Sequence, residues 1–378
     1  MSHRISAFAL GIAVLATPFA TPAATLPQFT QPNAVWNEDV SNAPLRTNSA
    51  AMMTRLETIA ASRTGAGKWG GDPNPSNPSA PSNVDFQIDM SDFYVLHANN
   101  STPTEAVVAW PDAGDYYSPD CQNPGPQFQF PVPVVGGIEG TSPPAYSCNA
   151  NDNDCHLLVS NDATNVLYEA YNTSSANASG VQARCALTWD LTKVYPRYGR
   201  GEHCTSADGA GFPMAPLMLN ADEVWAAAQS GGDIGHAIRF ILGNSRMAQG
   251  THVHPSSHGT SATSDTNANA VPYGSHLRLK STFDASSFST NPAVLAIVRS
   301  LQNYGMFLSD GGTIPLSADT DTYTTHKWSD ADMNMDSHSL FGINPTDFDV
   351  VDAGDPITDS GNCTLTPADF IFIDGYDY

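Results

Sequence analysis

The strongest constraint on this chain is the length of its apolar runs. From residue 94 onward they are four to nine residues long, and Gly, Pro, Asn, Asp or Ser cuts each one off. Runs of this length suit strands and are too short for a well-packed helix. They fall at 94–97, 106–110, 128–135, 156–160, 166–171, 183–191, 237–242 and 276–282. The pattern predicts a mainly β fold, a two-sheet sandwich or jelly-roll-like core with long loops and a few helices. The helical exceptions are 221–229 and 292–304, the second with Asn291 as cap and Pro292 at its first position.

The ends of the chain read differently. Residues 1–24 run from a basic start at Arg4 through an apolar stretch, 5–16, to small residues and prolines at 21–24. That order is a secretory signal peptide, and the stretch is too short for the ~20 residues of a spanning helix. Residues 49–63 carry apolar residues at helical spacing behind Ser49, and 65–82 is rich in Gly, Pro, Ser and Asn. Together, 25–82 read as a helical appendage and linker, 83–355 as the β-rich main domain, and 356–378 as a separate tail.

An exported chain meets an oxidising environment, and six cysteines, Cys121, Cys148, Cys155, Cys185, Cys204 and Cys363, allow three bridges. Cys148 and Cys155 flank a short Asn/Asp-rich loop and pair first. Cys185 with Cys204 and Cys121 with Cys363 complete the expected set. Charge narrows the partners: the whole chain carries −23, and once Arg4 leaves with the leader, 14 basic residues face 38 acidic ones. Such a surface repels nucleic-acid backbones and anionic lipid, so neither nucleic acid nor a membrane span is expected.

GxSxG, HExxH and Walker signatures are missing, and no GxGxxG follows a strand, which sets serine hydrolases, zincins and nucleotide enzymes aside. Five local features remain. In His276-Leu-Arg278-Leu-Lys280, strand alternation puts His276, Arg278 and Lys280 on one face, a basic strip for an anionic or polyhydroxylated ligand unless acids simply solvate it. His252, His254 and His258, with His236 nearby in sequence, have spacing that would serve a metal or an exposed loop. Asp208 sits among small residues behind Cys204, where backbone approaches a ligand closely. Glu169 lies on an apolar strand, where burial raises a carboxyl pKa towards general-acid use. Finally, Asp330, Asp332, Asn334 and Asp336 alternate oxygen ligands as a calcium loop does, without its turn glycine or closing glutamate.

The ordered segments HLLVSNDATNVLYEAY, TSADGAGFP, GHAIRF, VHPSSH, YGSHLRLK, YGMFLSDGG and DFDVVDAG, spread over 154–354, resemble a group of secreted bacterial proteins. The resemblance implies export and supplies no reaction or catalytic residue. At His254 this chain departs from the group, where an aromatic is usual. The ending DFIFIDGYDY resembles a short terminal motif of other exported Gram-negative proteins, which implies sorting or processing.

The expected function is a secreted carbohydrate-active enzyme that cleaves an extracellular polysaccharide. Its catalytic candidates are Glu169, Asp208, His236 and His258; Arg239, His276, Arg278, Lys280 and Trp328 would bind substrate. With the carboxylates in charge it is a glycoside hydrolase; with the basic strip in charge it is a lyase on a uronate. No cofactor is required, and the calcium candidate is structural. The alternative is a non-catalytic glycan-binding or surface-structural protein.

Overall fold

A computed structural model describes residues 25–61, 69, 85–110, 116–148 and 154–366. The signal segment and the terminal motif lie outside them. The chain is mainly β, with several mixed sheets and few helices, consistent with the sandwich-like expectation. A four-stranded sheet, in the order Val95–Ala98, Leu157–Asn161, Val166–Tyr171, Cys185–Asp190, occupies the middle. Its residues alternate between two cores. Leu157 and Val159 face a smaller cluster shared with the sheet that contains Thr104–Ala109, Gly125–Pro131, Gly180–Ala183 and Ser175–Asn177, whereas Leu158, Leu167, Leu187 and Trp189 face a larger one. Burial on both faces explains why 156–160 reads as an unbroken apolar run.

The larger core is closed by a six-stranded sheet in the order Ile88–Phe93, Leu316–Asp319, Ile238–Leu242, Met306–Gly311, His276–Leu279, Phe348–Val350. Ile238–Leu242 and Met306–Gly311 run parallel, so their C-terminal ends emerge side by side. Helices Ala221–Ser230 and Pro292–Asn303 pack on each other, and the second lies on His276–Leu279. Both obey local rules: Asn220 accepts from the amides of Asp222 and Glu223, Asn291 accepts from Ala293, and Gly231 closes the first helix at φ +68°.

Three sequence expectations are revised. The N-terminal stretch is not an appendage: Leu26, Phe29, Trp36, Met52, Met53 and Leu56 belong to the larger core, and so does Trp69, from within the expected linker. The tail is stitched in as far as residue 366, with Ile357–Thr358 paired to Met247–His252 and Thr364–Leu365 to Gly201–Glu202. Of the bridges, Cys148–Cys155 stands as expected, but the other two are Cys121–Cys185 and Cys204–Cys363. Adjacency in sequence favoured the wrong partner for Cys204; tail pairing beside Gly201–Glu202 brings it Cys363 from 159 residues away.

Candidate functional site

The loop behind Cys204 is held by its own small residues. Ser206 Oγ accepts from the Asp208 amide at 2.9 Å and lies 2.6 Å from the Phe212 carbonyl, which folds 206–212 into a tight arch. Gly209 lets that arch meet Asp310 at the end of Met306–Gly311: its amide donates to Asp310 Oδ2 at 3.1 Å, and a Cβ there would lie 2.2 Å from Asp310 Oδ1. A larger residue there would push the Asp310 carboxyl out of this position. The arch and the strand end form one wall of a cavity of about 260 Å³, lined among others by Asp154, Tyr171, Asp208, His258 and Asp310. A second depression of about 420 Å³, with Tyr116, Asp120 and Arg184, shares Tyr117, Thr205 and His258 with the first. The two form an extended cleft.

Beneath it lies a buried charge network. Asp208 Oδ1 receives Arg239 Nη2 at 2.6 Å, and Arg239 Nη1 donates to Ser317 Oγ at 2.6 Å. Asp208 and Arg239 are almost wholly buried, and Asp208 Oδ2 has no hydrogen-bond partner among the described residues. Burial drives the Asp208 carboxyl up to about 6 against the pull of Arg239, and the Asp310 charge adds to the rise. Asp310 is also raised, by burial, with Arg239 pulling the other way; it accepts from the amides of Gly209 and Gly311 and from the Tyr273 hydroxyl at 3.4 Å. His156 sits alongside, its Nδ1 2.5 Å from Glu139 and its Nε2 2.9 Å from the Ala207 carbonyl. Burial opposes its charge, but Glu139 prevails and lifts it to about 9, so the ring donates at both ends. His258, by contrast, is lowered by burial and stays neutral at the rim. Tyr117 and Tyr171 stack at 6.1 Å, and Arg184 covers Tyr117 at 4.8 Å.

Of the expected catalytic residues, Asp208 and His258 meet in this cleft, and Arg239 supports it from below. Glu169 does not open onto it: fully buried, it accepts from the amides of Met214 and Ala215 and from Trp189 Nε1, which makes it a bracket between sheet and loop. His236 is buried elsewhere, with Nε2 3.5 Å from Glu223. The basic strip is no ligand surface. His276 is buried against Phe307 and the Tyr304 carbonyl, Arg278 Nη1 grips the carbonyls of Val40, Ser41 and Ala43, and Lys280 holds the Thr346 carbonyl. Trp328 is buried and donates to the Asp319 carbonyl. The calcium candidates do not converge: Asp330 accepts from the Lys327 amide, Asp332 from Trp225 Nε1 and Asp336 from the His338 amide, while Asn334 takes a left-handed turn at φ +44°. His252 and His254 lie outside the cleft, beside Glu202.

Sequence reasoning missed Asp310, His156, Glu139 and the two tyrosines. Asp310 carried a signal, an acid at the end of an apolar strand followed by two glycines, the place where strand ends present ligands. The His156–Glu139 pair carried none, being 17 residues apart across two elements. A larger cavity, about 740 Å³ between the 25–28 segment and Val95–Ala98, holds the His97–Asp162 pair, and Asp162 is more than half exposed. Burial opposes the charge on both, yet Asp162 raises His97 and His97 lowers Asp162, as in an ordinary ion pair. Among the described residues no second carboxyl lines this cavity to act as acid or base, so size does not decide the site. Set against protein-family models, curated proteins and solved structures, the chain matches none.

Proposed function

We propose that this chain is a secreted carbohydrate-active enzyme, a glycoside hydrolase acting in the cleft around Asp208 and Asp310. The observation that carries the reading is a pair of carboxyl groups, Asp208 buried and Asp310 half-buried, both shifted upward in pKa, on the wall of an open, tyrosine-lined cleft. Asp208, in contact with Arg239, is the partner kept ionised. Asp310, with amide and hydroxyl donors but no cation in direct contact, is the one that gives the proton. Stacked tyrosines suit the apolar face of a sugar ring, and the two joined depressions suit a chain rather than a single unit. Three disulfides fit an exported protein.

The same geometry weighs against the lyase. Elimination from a uronate needs cations facing the sugar carboxylate, yet Arg278 and Lys280 are spent on backbone carbonyls, and the cleft sets Arg184, which lies over Tyr117, against Asp120, Asp154, Asp208 and Asp310. The substrate is therefore a neutral glycan. The test is release of new reducing ends from neutral polysaccharides by the oxidised protein. Asp310→Asn is expected to cut turnover about 10²–10⁴-fold with binding retained. Binding without new ends in the unaltered protein would assign it to non-catalytic glycan recognition instead.

A further inference from the structure

Outside the cleft, Gly201–Glu202 and the end of Met247–His252 bring three ligand-type side chains to one point. His254 Nε2 lies 2.6 Å from Glu202 Oε1, and His252 Nε2 lies 3.6 Å from Glu202 Oε2. All three donor groups come within 4.8 Å of one another. The 3.6 Å contact is too long for a hydrogen bond, and both of its atoms are buried without a partner. A carboxylate oxygen and an imidazole nitrogen left in this way face a gap of the right size for an ion. Ligand atoms on a tetrahedral zinc, with bonds of ~2.0–2.1 Å, sit ~3.3 Å apart.

A second observation points the same way. The other nitrogen of His252, Nδ1, lies 2.8 Å from Asp359 Oδ1. A carboxylate that takes the Nδ1 proton turns the Nε2 lone pair outward and fixes the ring, the usual support of a metal-bound histidine. The frame is built before any ion arrives: Ile357–Thr358 pairs with the strand of His252, Thr364–Leu365 pairs with the strand of Glu202, and Cys204–Cys363 ties the two together. His252 is wholly buried, whereas the Glu202 side chain is 34% exposed and leaves a way in.

We propose that Glu202, His252 and His254 form a three-ligand site for a divalent transition-metal ion of the zinc type, with Asp359 orienting His252. Two imidazoles and one carboxylate leave a coordination position for water, the ligand set of an open site rather than a closed structural one. The second oxygen of Asp359 accepts from the Gly259 amide at 2.9 Å, next to His258. An ion here therefore steadies the loop that carries His258 into the cleft. The site stands on its own residues and does not depend on the glycosidase reading.

The experiment takes the full oxidised chain, strips it with a chelator and titrates it with Zn²⁺ by calorimetry and with Co²⁺ by visible absorption. One ion per chain is expected, with tetrahedral cobalt bands. Glu202→Gln and His254→Gln should each weaken binding by about 100-fold or more, and Asp359→Asn by about 10–100-fold. His97→Gln, which breaks the separate His97–Asp162 pair, should leave it unchanged. Thermal unfolding of each metal-free variant checks its fold, and Glu202→Gln, at a partly exposed position, decides the matter if a histidine variant fails to fold. Failure of the unaltered chain to take up one zinc, or equal uptake by Glu202→Gln and His254→Gln, would overturn the proposal.

Discussion

At the scale of single residues, the same property of burial gives Asp208 and Glu169 different duties. Both carboxyls are fully buried and both are raised, to about 6 and about 7. Glu169 spends both oxygens on three N–H donors, while Asp208, which lines the cleft, keeps one oxygen without a hydrogen-bond partner among the described residues. Glu169→Gln turns an amide donor towards either Trp189 Nε1 or the 214–215 amides and should cost ~1–3 kcal/mol, read as a drop in the urea midpoint. Asp208 must be ionised to serve, so kcat/KM is expected to climb through a limb near pH 6. An acid limb well below pH 5 would point to another group.

The strand His276–Leu279 shows at the scale of elements how far the sequence could be read. Period-two alternation placed Leu277 and Leu279 in the core, where they are fully buried. It could not reveal that the opposite face is covered as well, because the cover comes from residues 40–43, more than 230 positions away, whose carbonyls close on Arg278. Local patterning thus identified strands, the Asn291 cap and the Asp208 loop, while contacts across long separations hid Asp310's neighbours, the Cys204 partner and the true setting of the basic strip. Arg278→Met should leave those carbonyls without their charged donor, lower stability by ~1–3 kcal/mol and open 40–43 to limited proteolysis, with glycan affinity unchanged. The tail offers a companion case: Cys204→Ser with Cys363→Ser frees the 357–366 segment, at a cost of about 2–5 kcal/mol, seen as a lower melting temperature.

For the molecule as a whole, buried acids set the pH response. Asp208, Glu169 and Asp319 have folded values of about 6, 7 and 7, above their ordinary range, chiefly through burial. Between about pH 4 and 7 the folded state therefore holds more protons than the unfolded one, and stability falls as pH rises. His156, lifted to about 9, is charged in the fold, and its contribution is lost as pH rises from about 6.5 to 9. His276, depressed by burial to about 4, acts oppositely and limits stability in acid. The melting temperature should accordingly be higher at pH 5 than at pH 8; a curve that rises to pH 8 would contradict the assignment of these groups.

The overall charge of −23 and the acidic cleft agree in turning away anionic polymers. The most direct test of the central claim compares the oxidised protein with Asp208→Asn and Asp310→Asn on matched neutral and uronate-containing polysaccharides, following reducing ends and unsaturated-product absorbance together. New ends from a neutral polymer, without the absorbance and lost in both variants, are the expected result. Unsaturated products from a uronate, or turnover that survives both substitutions, would place the chemistry elsewhere.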